Sequence, residues 1–181
     1  TTEDLLRIML LASSNKAAVA LSESEPQLNF IELMNQEAKN LNLTQTTFID
    51  STGLNPLNQS SAENLKNLSR FIFKNYPEIF LILQNEKFTV TSLNTKTSYI
   101  IRNINLFSKK PKILEELGIY YLGGKTGFTE EAKETFLGIF SYPSQRFINQ
   151  SKNILIVVLN SNSRYNDVET LLRWLKSAYV F

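Results

Sequence analysis

The chain of 181 residues contains no histidine and no cysteine. Without cysteine there is no disulfide frame, no thiolate nucleophile and no thiolate metal site, a composition that fits an exported protein. Without histidine, Ser-His-Asp and Cys-His catalysis and imidazole-bound zinc are excluded. Proton transfer at neutral pH then falls to lysine, carboxylates or tyrosine. An excess of one charge is missing as well: 19 Lys and Arg stand against 17 Asp and Glu, a formal net charge of +2. The cations are scattered, with no dense basic stripe to mark a nucleic-acid or acidic-membrane partner. Long apolar runs are also absent. The longest near the amino end, "LLRIMLLA", is broken by Arg7 and is too short for a membrane span or a complete signal peptide. A chain of this length buries roughly two-thirds of its unfolded surface, enough for one sizeable domain or two tightly joined subdomains.

What is present divides by period. Residues 1–85 read as mainly helical. Thr1 and Asp4 form a capping-box pattern ahead of Leu5, Leu6, Ile8, Met9 and Ala12. A second helix starts near Asn15. A third spans roughly Gln27 to Leu41, with Phe30, Ile31, Leu33, Met34 and Ala38 as its inner face. "TFIDSTGLNPLNQSSAEN" carries turn signals at Gly53 and Pro56, and Ser60-Ser61-Ala62-Glu63 reads as a capping box opening a further helix. Pro77 starts a short one. From residue 86 the period changes to two. "KFTVTSL" and "KTSYIIR" flank Asn94-Thr95 as a hairpin, and "IYYLGGKT", "TFLGIFSY" and "NILIVVLN" are three more strand candidates, the last two joined by the reversal "PSQRFINQSK". The closing stretch from Arg164 reads as an amphipathic helix with Leu171, Leu172, Trp174 and Leu175 inward.

The candidate chemistry centres on "LGGKTGFTEEA". A phosphate loop needs a glycine, four residues and then Gly-Lys-Ser/Thr at a helix start. Gly118 is one place too far from Gly124-Lys125-Thr126, and the residues that follow lack an apolar helical face. A Lys-Thr-Gly on a strand has another use: lysine supplies positive charge, threonine a hydroxyl donor for a carboxylate, and glycine close access to the backbone. Alone, the tripeptide is more often a strand end beside a turn glycine.

Its companions decide the reading. "TTEDLLRIMLLASSNKAAVALSE", "DSTGLNPLNQSSAENLKNLSRFIFKNYPEIF", "RNINLF" and "LGGKTGFTEEA" occur in this order and span nearly the whole chain. Together they resemble the D-alanyl-D-alanine carboxypeptidases, the low-molecular-mass penicillin-binding serine peptidases. That family uses Ser-x-x-Lys with the acylated serine, then Ser-x-Asn, then Lys-Thr-Gly. The resemblance implies that Ser13 and Asn15 form the second motif, relaying protons and holding the substrate amide. It assigns Lys125, Thr126 and Gly127 to the third, which meets the substrate's terminal carboxylate and supports acylation electrostatically. A competing reading makes Ser13 and Ser14 plain helix caps.

The resemblance implies an α+β penicillin-recognising fold of the β-lactamase/transpeptidase type: a helical subdomain plus a five-stranded antiparallel sheet. It implies no metal or organic cofactor, a peptidoglycan stem peptide ending in D-Ala-D-Ala as substrate, β-lactams as ligands, and a place in the bacterial cell envelope. Two features depart from the pattern. Only twelve residues precede Ser13, so no Ser-x-x-Lys lies upstream of it. Ser13-Ser14-Asn15-Lys16 could itself be that motif, with Ser13 and Lys16 on one helical face and Ser92-Leu93-Asn94 as Ser-x-Asn. Lys133-Glu134-Thr135 replaces the glycine and small residues usual in relatives. In addition, "ILIVVLN" lacks polar alternation, as a central strand does. The expectation is therefore one domain over 1–181, incomplete at its amino end, with an upstream segment or a second chain supplying Ser-x-x-Lys and the missing strands. On that expectation the chain alone is inactive. The rival readings are a non-catalytic peptidoglycan-binding module on the same fold and a β-lactamase.

Overall fold

The computed structural model describes residues 1–25, 27–143 and 151–179. The chain forms two compact units, Thr1–Ile104 and Asn105–Phe181.

In the first unit, α1 (Thr2–Ala12) begins with the expected capping box, in which Thr1 and Asp4 bond reciprocally. It ends at Ser13, and α2 (Asn15–Ser22) starts immediately, capped by Ser14. α3 (Phe30–Asn40) starts three residues later than the periodicity suggests, because the side chain of Asn29 caps it by accepting from the Glu32 amide. The connection to α4 (Ala62–Asn75) is not loose. The carboxylate of Asp50 accepts from the amides of Thr52, Gly53 and Asn55, the hydroxyl of Thr52 and the side chain of Asn58. Burial alone would raise its pKa, but these donors outweigh it and hold the group well below the usual carboxylate range.

α4 corrects one reading. Its cap is Ser61, which accepts from the Asn64 amide, while the Ser60 hydroxyl bonds that of Thr46 instead. Glu63, expected to reach back to the cap, pairs with Lys66. α5 (Pro77–Gln84) opens on its proline. The hairpin of β1 (Lys87–Thr91) and β2 (Ser98–Arg102) then runs antiparallel, with Lys87 opposite Arg102 and Thr91 opposite Ser98. Asn103 closes the unit. It is 3 % exposed, and its side chain donates to the carbonyls of Leu83 and Asn85.

The second unit begins with a 3-10 turn at Leu106–Lys109 and the short α6 (Lys112–Leu117). An antiparallel sheet follows in the order β3 (Tyr120–Thr129), β4 (Lys133–Pro143), β5 (Ser151–Ser161), and α7 (Arg164–Ala178) closes it. The reversal expected between β4 and β5 lies in 144–150, outside the described residues. Phe136, Phe140 and Tyr142 of β4 share one face with Ile156 and Val158 of β5, and Val168 and Leu172 of α7 complete this core. At its centre is Phe107, whose ring meets those of Phe140, Phe136, Tyr165 and Tyr121 at centroid distances of 5.2, 5.5, 5.7 and 5.9 Å. A buried phenylalanine contributes about 1.5–3 kcal/mol through burial, and ring pairs add about 0.5–1.5 kcal/mol each.

Two expected inner faces were drawn too wide. On α7 the buried stripe is Val168, Leu172 and Leu175, whereas Leu171 and Trp174 face outward. On α3 Ala38 is buried, while Phe30 and Leu33 are exposed. Residues one helical step off the stripe point away from the core although they are apolar. As for "ILIVVLN", β5 pairs with β4 along one edge, and among the described residues its other edge has no partner strand.

Candidate active site

The two predicted motif groups lie in different units. Ser13 sits in the junction of α1 and α2 with φ 52° and ψ 42°, a left-handed conformation costing a non-glycine residue roughly 1–2 kcal/mol. Strain of this kind is held where surrounding structure requires it, and it clusters at functional positions. The N-cap of α2 is its neighbour, since Ser14 Oγ accepts from the Ala17 amide at 3.3 Å. Asn15 is the first residue of α2 and is exposed. The junction thus makes Ser13 the left-handed C-cap residue of α1 and sets Asn15 at a helix start. Casting Ser13 and Lys16 as a nucleophile–base pair required both on one helical face. Ser13 is outside the helix that carries Lys16, so that premise fails.

Lys125, Thr126 and Gly127 lie side by side on β3, opposite Leu137, Phe136 and Thr135 of β4. The phosphate-loop geometry is absent, because this Gly-Lys-Thr continues as strand to Thr129. Residues paired across a ladder share a face. Thr126, 7 % exposed, therefore lies with Phe136 on the α7 side of the sheet, and Lys125 lies on the opposite side with Leu137. Lys125 Nζ donates to the Thr126 carbonyl at 2.7 Å. Burial of the ammonium, assisted by repulsion from Arg164, lowers the lysine pKa from 10.5 to about 8. Roughly a tenth of the side chain is then neutral at pH 7, close to what a proton-transferring lysine needs.

Arg164, the first residue of α7, belongs to this cluster and was not singled out from the sequence. Its Nη1 donates to the carbonyls of Gly127 at 2.7 Å and Thr135 at 3.1 Å, so it clamps β3 to β4 at the Lys-Thr-Gly. Its amide and Nε both donate to Glu134 Oε2, at 2.8 and 3.1 Å. The Arg164 amide, followed by its guanidinium, holds the Glu134 carboxyl below its usual range. One sequence signal existed: a cation in the first turn opposes the helix dipole and needs a compensating anion. Glu134 supplies it. Among the described residues no group of three His, Cys, Asp or Glu is arranged to hold a metal ion.

Comparison with known families settles the kinship. A family model described as D-alanyl-D-alanine carboxypeptidase matches residues 1–163. The chain belongs to this family of serine peptidases. It is 28% identical to a D-alanyl-D-alanine endopeptidase of Escherichia coli over 98% of this chain and 54% of that protein. It is 29% identical to the D-alanyl-D-alanine carboxypeptidase DacC of the same organism over 94% of this chain and 40% of that protein. Among solved structures, penicillin binding protein 6B of Escherichia coli matches with a TM-score of 0.72 at 28% identity, covering 94% of this chain and 50% of the other. The fold is thus the α+β fold of the penicillin-binding DD-peptidases. The chain spans about half the length, or less, of these relatives.

Proposed function

We propose that this chain is the carboxy-terminal portion of a serine-type D-Ala-D-Ala peptidase acting on peptidoglycan stem peptides in the bacterial cell envelope through an acyl-serine intermediate. Lys125 carries the reading: a half-buried cation with pKa lowered to about 8, set beside Thr126 and Gly127 on a strand clamped by Arg164, in a member of this family. Ser13 relays protons and Asn15 holds the substrate amide. Lys125 supports acylation, and the β3 backbone at Thr126 and Gly127 receives the terminal carboxylate, since the Thr126 side chain is buried on the α7 face of the sheet, opposite Lys125.

The nucleophile comes from a Ser-x-x-Lys outside these 181 residues. Ser13–Lys16 is the one such spacing within them, and Ser13 stands outside the helix that carries Lys16. A neighbouring unprotonated lysine activates a serine where histidine is absent. The strands that would pair with the outer edge of β5 come from the same segment or from a second chain, and 1–181 then makes one incomplete domain. The proposed chemistry uses no metal or organic cofactor.

The test is incubation with a penicillin followed by intact-mass measurement and peptide mapping. The complete gene product is expected to gain one acyl group on a serine outside these residues, and the 181-residue chain alone to gain none. An adduct on Ser13 would overturn the assignment. Reversible binding of a D-Ala-D-Ala peptide by the complete product, without acylation or turnover, would favour a non-catalytic module. Fast release of the acyl group would favour a β-lactamase.

A further inference from the structure

Simple alternation along β3 would put Lys125 on the same face as Tyr121, four residues earlier. It does not lie there. Leu122 is inserted as an extra residue between the pairs Tyr121–Phe140 and Gly123–Ile139. Such a bulge exchanges the faces of everything that follows it. Gly123 makes it possible, with φ 122°, a backbone conformation that side chains disfavour. The bulge is why the ammonium is presented away from α7 and the Thr126 side chain toward it.

A buried polar knot is tied to this irregularity. Tyr121 hydroxyl donates to the Gly124 carbonyl at 3.2 Å, spanning the bulge from one side to the other. Asn105 Nδ2 donates to the Tyr121 hydroxyl at 2.7 Å and to the same carbonyl at 3.3 Å. Asn105 is 2 % exposed, and its Oδ1 accepts from the Phe107 amide. Burial, and then the neighbouring Tyr165, raise the Tyr121 pKa above its ordinary value, so the phenol stays a donor at all relevant pH. A leucine at position 105 would pack among the same aromatic rings without the desolvation cost of an amide. The amide is used instead on the one carbonyl directly preceding Lys125.

We infer that Asn105 and Tyr121 are positioning residues for Lys125: by fixing the Gly124 carbonyl across the bulge they decide the face and depth at which the ammonium is held. The inference rests on the reading of Lys125 as a site residue, and its test separates the two. In the complete gene product, Asn105→Ala and Tyr121→Phe are compared with Asn103→Ala, a similarly buried amide whose side chain bonds the Leu83 and Asn85 carbonyls of the first unit. The Lys125 titration midpoint is read by NMR of labelled lysine methylenes, the acylation rate with a fluorescent penicillin, and Tm by calorimetry.

Tyr121→Phe keeps the ring and is expected to fold. In both test variants the midpoint should rise from about 8 toward 10.5 as the ammonium gains water, and acylation should fall about 10- to 100-fold. Asn103→Ala should lower Tm only. Unchanged midpoint and rate in Tyr121→Phe, with only Tm moved in Asn105→Ala, would overturn the inference. If Lys125→Ala acylates at the wild-type rate, the site reading fails, yet the midpoint still decides whether Asn105 and Tyr121 position Lys125.

Discussion

Lys125 is an unfavourable residue for the stability of the fold. Its ammonium is taken out of water and set near Arg164, and its pKa falls from 10.5 to about 8. A base whose folded pKa is depressed binds fewer protons in the native state than in the unfolded one between those two values, so stability rises with pH across that window. Below about pH 8 the full penalty stands, and above 10.5 it is gone. Lys125→Met should therefore stabilise the protein at pH 7, by about 1–3 kcal/mol, and the gain should disappear by pH 10.5. Urea unfolding at the two pH values checks this, and an equal gain at both would show that charge burial is not the cause.

The neighbouring cation gives a second expectation. Arg164→Gln removes the repulsion but not the burial, so the Lys125 midpoint should rise above about 8 while staying below 10.5. A midpoint that falls would show that Arg164 acts through the strand carbonyls it clamps and not through its charge. Arg164 also shows where a single sequence stops being legible. Lys125, Thr126 and Gly127 announce themselves as a contiguous tripeptide. Arg164 meets them across thirty-seven residues, and only the pairing of β3 with β4 brings Gly127 and Thr135 together beneath its guanidinium.

At the scale of elements, the helices through α5, the strands and α7 were readable because the apolar period is strong, whereas the 3-10 turn and α6, in a stretch that reads as a loop rich in lysine and asparagine, were not. Every strand expected from the sequence is present, and the hairpin closes around Asn94-Thr95 as its flanking residues indicate. What was misread turned on competition for one hydrogen bond or one turn of phase. Ser60 and Ser61 are equivalent as letters; the cap went to Ser61 because the Ser60 hydroxyl is taken by Thr46 across the preceding turn. Ser61→Ala should accordingly cost about 1 kcal/mol by loss of the α4 cap. Ser60→Ala should leave the helix start intact. Backbone amide exchange at Asn64 distinguishes them: it should quicken in Ser61→Ala and stay slow in Ser60→Ala. The bulge at Leu122 was likewise invisible in the letters, since "YYLGGKT" gives the glycines but not the register shift they permit.

At the scale of the molecule, the two units carry complementary parts of one reaction on the reading proposed here. The first brings a strained serine and an exposed asparagine at the α1–α2 junction. The second brings a lysine of lowered pKa and the donors beside it. Family and fold were legible from the ordered motifs together, since no single tripeptide specifies them. The edge of β5 that has no partner strand among the described residues fits the same account, because a strand with so long an apolar run is expected to be paired on both edges.

The most direct test is the acylation rate of the complete gene product by a fluorescent penicillin in Asn15→Ala, Lys125→Ala and the double variant. If both residues serve one acyl transfer, each single change should slow acylation by about 100-fold, and the double variant should be far faster than the product of the two losses predicts. A wild-type rate in either single variant, in protein that remains folded, would contradict the account.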